Sequence, residues 1–349
     1  MENRRSFLKK MLVTSLVAHF PVILMAETNQ SFLIKSFGEI PSPQNIHRVL
    51  SAGPVADVLL LSLAPEKLLG LSTHPLSDIQ KPFFSQHLQQ LSQTGRFAGR
   101  GTTASLEKVI QMKPDVIVDI GNITPTYIST AERVQSQTNI PYLLMNGSLA
   151  ETPQQLSHLG ELLGVKNRGQ LLSNYAQKVL SQTHNIADKA TESSQLKVYS
   201  ARGADGLETG LAGSIHTEVL DWIGAKNVVE GAGEKIIARV SMEQLMLWQP
   251  DVIIAMDHHF YQKVFTDPLW QRLPAVKNRR VYYAPKLPFG WLDQPPSINR
   301  LLGVSWLAHV LYPELLSYDD YAQNIIEYYQ LFYGYSLSHE ALTQLTGTI

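Results

Sequence analysis

Two distant stretches of the chain carry the same succession of spaced and continuous apolar positions. In ASLEKVIQMKPDVIVDI, which begins at Ala104, Leu106, Val109 and Ile110 form one face of a helix. In VSMEQLMLWQPDVIIAM, which begins at Val240, Met242, Leu245 and Met246 repeat that face in the same phase. Pro114 and Pro250 end the helices. Asp115 and Asp251 follow, and then the apolar runs Val116–Ile120 and Val252–Met256. A short β-branched run after a helix reads as a parallel strand covered on both faces. Ser105 and Ser241 stand where N-caps belong. Gln244 completes a capping box with Ser241, whereas Lys108 occupies that place in the first copy. Glu107 and Glu243 fall in the first turn, where negative charge suits the helix dipole. These glutamates are 136 positions apart, far beyond the period of a solenoid repeat. The pattern therefore predicts two α/β lobes, each with a helix feeding a buried strand.

The rest of the pattern fills in those lobes. HRVLSAGP predicts a first strand, with a helix over Val55–Leu63, and KLLGLSTHP a second strand ending at His74. A glycine-rich loop, TGRFAGRGTTA, carries Arg96 and Arg100. A helix near Ala131–Gln137 and the strand PYLLMNGS complete the alternation. From Gln154 to Thr191 the apolar spacing stays helical through Leu171, Leu172, Tyr175, Val179 and Leu180, which predicts a long helix between the lobes. The second lobe takes the strands LKVYSARG, DVIIAM and RRVYYAP, and a tyrosine-rich tail reads as helix, turn and helix. The expected fold class is α/β, with two Rossmann-like lobes built on central parallel sheets and joined by one long α-helix. Its expected divisions are an export signal at 1–26, an N-terminal lobe at 44–165, an interdomain helix at 166–192, a C-terminal lobe at 193–315 and a helical tail at 316–349.

Composition narrows the class. The 349 residues are 44% hydrophobic and 17% charged, a globular balance. The N-terminal stretch NRRSFLKKMLVTSLVAHFPVILMAET has a basic start, an apolar middle and a small residue, Ala26, at a cleavage point. Arg4 and Arg5, followed by Ser6-Phe7-Leu8-Lys9, resemble a twin-arginine signal. The expectation is therefore a periplasmic protein cleaved near Ala26. The chain has no cysteine, which excludes a lipobox anchor, disulfides and thiolate metal sites. Four basic residues and one acidic residue lie in the first 26 positions, so the remainder is mildly acidic and carries no footprint for nucleic acid. No nucleophile elbow, HExxH or paired carboxylates stand out, so no catalytic residue is expected.

Ligands of open parallel sheets bind beyond the carboxyl ends of the strands. That rule selects His74, Arg96, Arg100 and Asn146 in the first lobe. In the second it selects Arg202, His258, His259 and the Pro288–Asp293 loop with Phe289 and Trp291. Glu208 and Thr209 lie on a glycine-rich segment read as a loop lining the cleft. Arginine forks suit carboxylate and other oxyanion oxygens. His74 and His258 are the candidates for direct metal coordination. His258 and His259, read as extended chain, point opposite ways, so at most one of them faces the cleft. His74, His216, His258 and His259 together leave a zinc site open.

The segments SLEKVIQMKPDVIVD, GLETGLAGSIHTEVLDWIGAKNV, SMEQLMLWQPDVIIA and PPSINRLLGVSWLAHVLYPE resemble the substrate-binding proteins of iron-complex and cobalamin ABC importers, from about His47 to Gly334. The resemblance implies two lobes braced by a rigid helix, a ligand held between them, and no intrinsic cofactor. It implies a partner, a permease dimer with its ATPase, which Glu107 and Glu243 would dock. The expected ligand is a metal chelate, foremost a ferric siderophore or other iron complex. Alternatives are a free metal or oxyanion, haem or cobalamin, and, on the same scaffold, a chelatase-like enzyme. A monomer is expected.

Overall fold

The protein is described here from a computed structural model that covers residues 33–97, 101–121, 123–189, 195–229 and 237–347. The expected signal segment lies outside these residues, as does Arg100. Among the described residues no helix is long and apolar enough to cross a membrane.

The first half runs β1 (Ile34–Phe37), β2 (Val49–Ser51), α1 (Pro54–Leu63), α2 (Gln86–Gln89), α3 (Leu106–Met112), β3 (Val116–Gly121), α4 (Pro125–Thr138), β4 (Tyr142–Asn146) and α5 (Thr152–Leu162). Its sheet has the order β1-β4-β3-β2, with β2, β3 and β4 parallel and β1 an antiparallel edge. Every residue of β3 is buried, as a strand covered on both faces requires. The strand expected in KLLGLSTHP is reduced to isolated bridges, Val49 to Leu68 and Leu71 to Gln93. There Gly70 passes so close to Ser92 that a Cβ would stand 2.5 Å from its carbonyl oxygen.

α6 (Lys166–Lys189) follows, 24 residues and about 36 Å long at helical rise. Leu172, Tyr175, Val179, Leu180 and Ile186 form its buried stripe, while Leu171 is exposed. α5 and α6 cross at two glycines: a Cβ on Gly160 would come within 2.7 Å of the Gly169 Cα. Only residues without side chains allow the backbones so near.

The second half contains β5 (Lys197–Ala201), β6 (Glu208–Gly210), α7 (Glu218–Trp222), β7 (Lys226–Asn227), β8 (Ile237–Arg239), α8 (Met242–Trp248), β9 (Val252–Ala255), α9 (His258–Lys263), α10 (Pro274–Lys277) and β10 (Val281–Tyr283). It closes with α11 (Arg300–Leu311), α12 (Tyr318–Tyr328), a π-turn over Tyr329–Tyr333, and α13 (His339–Thr346). Its main sheet is parallel throughout, in the order β10-β9-β5-β7. The two copies of the repeated phrase thus sit in different sheets. The fold is α/β, two parallel-cored sheets with the long α6 between them in sequence.

The repeat has a shared physical logic. Each helix ends in a left-handed residue, Lys113 at φ 46° and Gln249 at φ 49°. The aspartate after each proline then clamps the start of the adjacent strand. Asp115 Oδ2 accepts from the amides of His47 and Arg48 at 2.7 and 2.8 Å, and Asp251 Oδ2 accepts from the Lys197 amide at 2.9 Å. A basic side chain from that strand caps the carbonyl end of the helix. Arg48 Nη2 donates to the Met112 carbonyl at 2.6 Å, and Lys197 Nζ to the Trp248 carbonyl at 3.1 Å. Ser241 and Gln244 form the expected capping box; Ser105 makes no such side-chain bond.

α11 is buried on all sides and serves as a core helix. The tail packs its tyrosines against α6: Tyr328 stacks on Phe332 at 4.1 Å, and Tyr175 meets Phe332 at 5.4 Å.

Candidate functional site

The loops that could hold a ligand leave the carboxyl ends of the parallel strands. In the second sheet, β5 delivers Arg202, β9 delivers Asp257, and β10 delivers Lys286 after Ala284 and Pro285. The loop from 285 to 297 crosses in front of them and contributes Asp293. The Asp293 side chain is wholly buried, and its Oδ2 accepts from the Arg202 guanidinium and lies 2.8 Å from His216 Nδ1. Its other oxygen, Oδ1, is buried with no hydrogen-bond partner. Burial pulls the Lys286 ammonium below the ordinary lysine value, and Arg202 pushes the same way. Asp257 and Asp293 oppose that shift. Arg202 and His216 thus share the Asp293 carboxylate, and Lys286 stands near enough to Asp257, Arg202 and Asp293 to feel their charges. Met256, Leu292 and Leu220 supply apolar wall beside Arg202 and His216.

On the other side of the same loop is a cavity of about 210 Å³. Asp57, Val58 and Leu61 of α1 form one wall, His74 lies on it, and Phe289 and Pro295 close it from the second half of the chain. Asp57 accepts from the Ser72 amide at 3.0 Å and from the Ser72 hydroxyl at 2.7 Å. Burial nevertheless pushes its carboxyl up to about 6. The Gln80 amide donates to the Pro288 carbonyl at 2.7 Å and the Ser297 hydroxyl to the Val55 carbonyl at 2.7 Å, stitching this loop to the first half.

An ion pair of the second half also reaches the first. Arg300 is fully buried; its Nη1 donates to Glu218, and its Nη2 donates to the Gly147 carbonyl at 2.6 Å. Glu218 also accepts from the Leu149 amide at 3.0 Å.

The residues selected by the strand-end rule divide clearly. His74 and Phe289 line one cavity. Arg202 joins His216 and Asp293. Arg96 is tied into its own loop, Nε donating to the Gly101 carbonyl at 2.9 Å. The neighbouring Gly95, at φ 94°, packs against Ala104, where a Cβ would stand 2.7 Å from the Ala104 Cα; the glycine serves loop packing. Asn146 Oδ1 accepts from the Ser148 amide at 3.3 Å.

Five residues lie in surroundings other than those the sequence implies. Trp291 has 0% exposure, donates to the Leu287 carbonyl at 2.9 Å and packs on Tyr329, so it anchors the loop from within the core. Glu208 and Thr209 belong to strand β6, paired antiparallel with β8. Thr209 is buried, and Glu208 stands exposed 4.0 Å from Arg239. His258 and His259 begin helix α9 rather than continuing an extended chain, because Asp257 caps it by accepting from the His259 and Phe260 amides at 2.8 and 3.2 Å. Both histidines are exposed. His258 lies 5.6 Å from the Tyr283 ring, with Nε2 2.8 Å from Gln262. Among the described residues no group of three or more metal-binding side chains is assembled, so the scattered histidines do not form a zinc site there.

Glu107 and Glu243 are exposed in the first turns of α3 and α8. Sequence reasoning overlooked Lys286, although it follows a strand as Arg202 does. It took in Asp293 only as the end of the Pro288–Asp293 loop and missed its carboxylate, whose partners are 91 and 77 residues away.

Comparison with known proteins agrees with this architecture. A family profile described as periplasmic binding protein matches residues 72–287. An ABC transporter solute binding protein from Sulfurospirillum deleyianum is 30% identical, with 89% of this chain and 98% of that one covered and a TM-score of 0.81. The molybdate-binding protein MolA of Haemophilus influenzae is 25% identical over 255 residues, 66% of this chain and 70% of its own. The vitamin B12 binding protein of Vibrio cholerae shares the fold at a TM-score of 0.60 and 20% identity, covering 78% and 98% of the two chains. These relatives bind solutes and are not enzymes, and the matched region holds all four strands of the second sheet and two of the four of the first. The chain belongs to the periplasmic binding protein family.

Proposed function

We propose that this periplasmic solute-binding protein captures an anionic metal complex, foremost a ferric siderophore or another iron complex, and delivers it to the permease of its ABC importer. One observation carries the choice of an anion: Arg202 and His216 meet at the buried carboxylate of Asp293 at the strand ends, with Lys286 in the same electrostatic neighbourhood. Arg202 and Lys286 can offer donors to an anion beside the carboxylates of Asp293 and Asp257, and a guanidinium fork matches the oxygens of catecholate, hydroxamate, carboxylate or metal oxyanions. His216, with Nδ1 held by Asp293, keeps Nε2 as a further group for the ligand. The scarcity of assembled metal ligands among the described residues favours a metal that arrives inside its own chelator. Glu107 and Glu243 would meet basic groups of the permease, giving register and encounter rate more than affinity. The chain would act as a monomer, exported through its twin-arginine segment.

A second reading, a bare oxyanion such as molybdate, draws on the likeness to MolA. Calorimetric titration with ferric citrate, a ferric catecholate, molybdate, haem and cobalamin separates the two. The proposal expects an anionic iron complex to bind best, and Arg202→Gln to weaken it at least tenfold, about 1.4 kcal/mol. Tight binding of molybdate alone would favour the second reading. Tight binding of a neutral solute, indifferent to Arg202→Gln, would overturn both.

A further inference from the structure

The cavity of about 210 Å³ between α1 and the loop from 285 to 297 is separate from the cluster of cations, yet the same loop walls both. Phe289 and Pro295 face the cavity, whereas Leu292 borders the cationic side, where Asp293 holds Arg202 and His216. The polar groups on the cavity wall are engaged within the protein. Both Asp57 oxygens accept from the Ser72 amide, Ser72 Oγ donates to one of them, and the Gln80 amide donates to the Pro288 carbonyl. What remains facing inward is apolar: Val58, Leu61, Leu71, Leu76 and Phe289. His74, exposed, and Thr73, half-buried, stand at its edge.

An apolar cavity of about 150 Å³ is large enough to take up benzene. This one is larger and would hold roughly six to nine heavy atoms at the packing density of a protein interior. Its walls come from both halves of the chain and are stitched by the Gln80–Pro288 and Ser297–Val55 hydrogen bonds, so the space exists before any ligand arrives. Preformed apolar pockets with few polar groups are the usual form of small-molecule sites.

We infer that this cavity is a second subsite, which receives an uncharged aromatic or branched aliphatic arm of the cargo while the cationic cluster holds its anionic oxygens. The inference rests on the reading that an anionic complex is the cargo, and it deepens that reading: the preferred solute is an organic chelate with apolar arms, not a bare oxyanion.

The test uses the whole chain and three probes: indole, ferric tris(4-tert-butylcatecholate), whose arms are branched and uncharged, and molybdate. Leu61→Phe fills the cavity from α1. Thr73→Trp narrows it from a half-buried position, and keeps the test alive if the interior change impairs folding. Either variant should cut affinity for indole and for the ferric catecholate at least tenfold and leave molybdate binding unchanged. Arg202→Gln should weaken the ferric catecholate and molybdate and leave indole binding unchanged. If the wild type takes up no indole, or Thr73→Trp binds indole or ferric catecholate as the wild type does, the subsite is overturned and the anion reading stands. If Arg202→Gln changes neither anion, the anion reading falls while indole uptake still reports on the cavity.

Discussion

Arg300 and Glu218 form an ion pair across 82 residues, with the guanidinium wholly buried and the carboxylate 27% exposed. The pair also holds Gly147 and Leu149 of the first half, through the Arg300 Nη2 and the Glu218 carboxylate. Burial pulls the Arg300 guanidinium below its ordinary value, and Glu218 restrains the shift. A buried charge left without its partner is costly, typically 3–5 kcal/mol. Water reaches part of Glu218, so Arg300→Met should destabilise by about 3 kcal/mol in urea unfolding. Adding Glu218→Gln should recover part of that loss; full additivity would deny that the two residues act as a pair.

Lys286 makes a different prediction, about binding. Its half-buried ammonium titrates below the ordinary lysine value, with burial as the main cause. Only the protonated form attracts an anion. Affinity for an anionic iron complex should therefore fall as pH rises, beginning below the range in which an ordinary lysine would lose its charge. Lys286→Met should weaken binding several-fold at pH 7 and abolish this alkaline limb. Titration calorimetry between pH 7 and 10 reads both effects.

Asp57 bears on stability. Burial raises its carboxyl from 3.8 to about 6, against the lowering effect of the Ser51 and Ser72 hydrogen bonds. Between those values the folded chain keeps a proton that the unfolded chain has released. This contribution to stability is therefore full below about pH 4 and is lost as pH rises to 6. A rise of that size is worth at most about 3 kcal/mol. Asp119, accepting from the Tyr142 hydroxyl at 2.8 Å, is pushed up to about 6 in the same way. Asp57→Asn should thus remove about half of the decline attributed to the two carboxyls, measured as unfolding free energy at pH 4, 5 and 6.

The glutamates of the repeated phrase should matter to transport alone. Glu107 and Glu243 are exposed on different helices, α3 and α8, and neither lines the cationic cluster or the cavity. Glu107→Arg combined with Glu243→Arg should abolish uptake in cells or vesicles holding the cognate permease and leave solute affinity within twofold. A loss of affinity would place these residues in the binding site.

The sequence made the fold legible because its signals are local. Helix phase, proline, aspartate and a β-branched run sit within 17 residues, twice. It did not reveal why proline is followed by aspartate, since the clamp on His47 and Arg48 joins residues 67 and 68 positions apart. The site was legible only in part. Arg202 and His74 follow from the strand-end rule, and Lys286 would have followed had the rule been applied beyond Pro285. The helix at His258 was announced by Asp257, a good N-cap, and was misread because a strand precedes it. Trp291 looks the same in sequence whether it packs inward or covers a ligand; its burial is decided by Tyr329, in the tail. Arg300 heads an apolar helix, and nothing near it in the chain foretells Glu218.

The most direct test of the account is native mass spectrometry of the chain recovered from the periplasm of its own cell, as wild type and as Arg202→Gln. The account predicts a wild-type protein that carries one anionic metal complex, with metal and organic chelator released together, and a variant that has lost it. A wild-type protein loaded with a neutral solute, retained in full by Arg202→Gln, would contradict it.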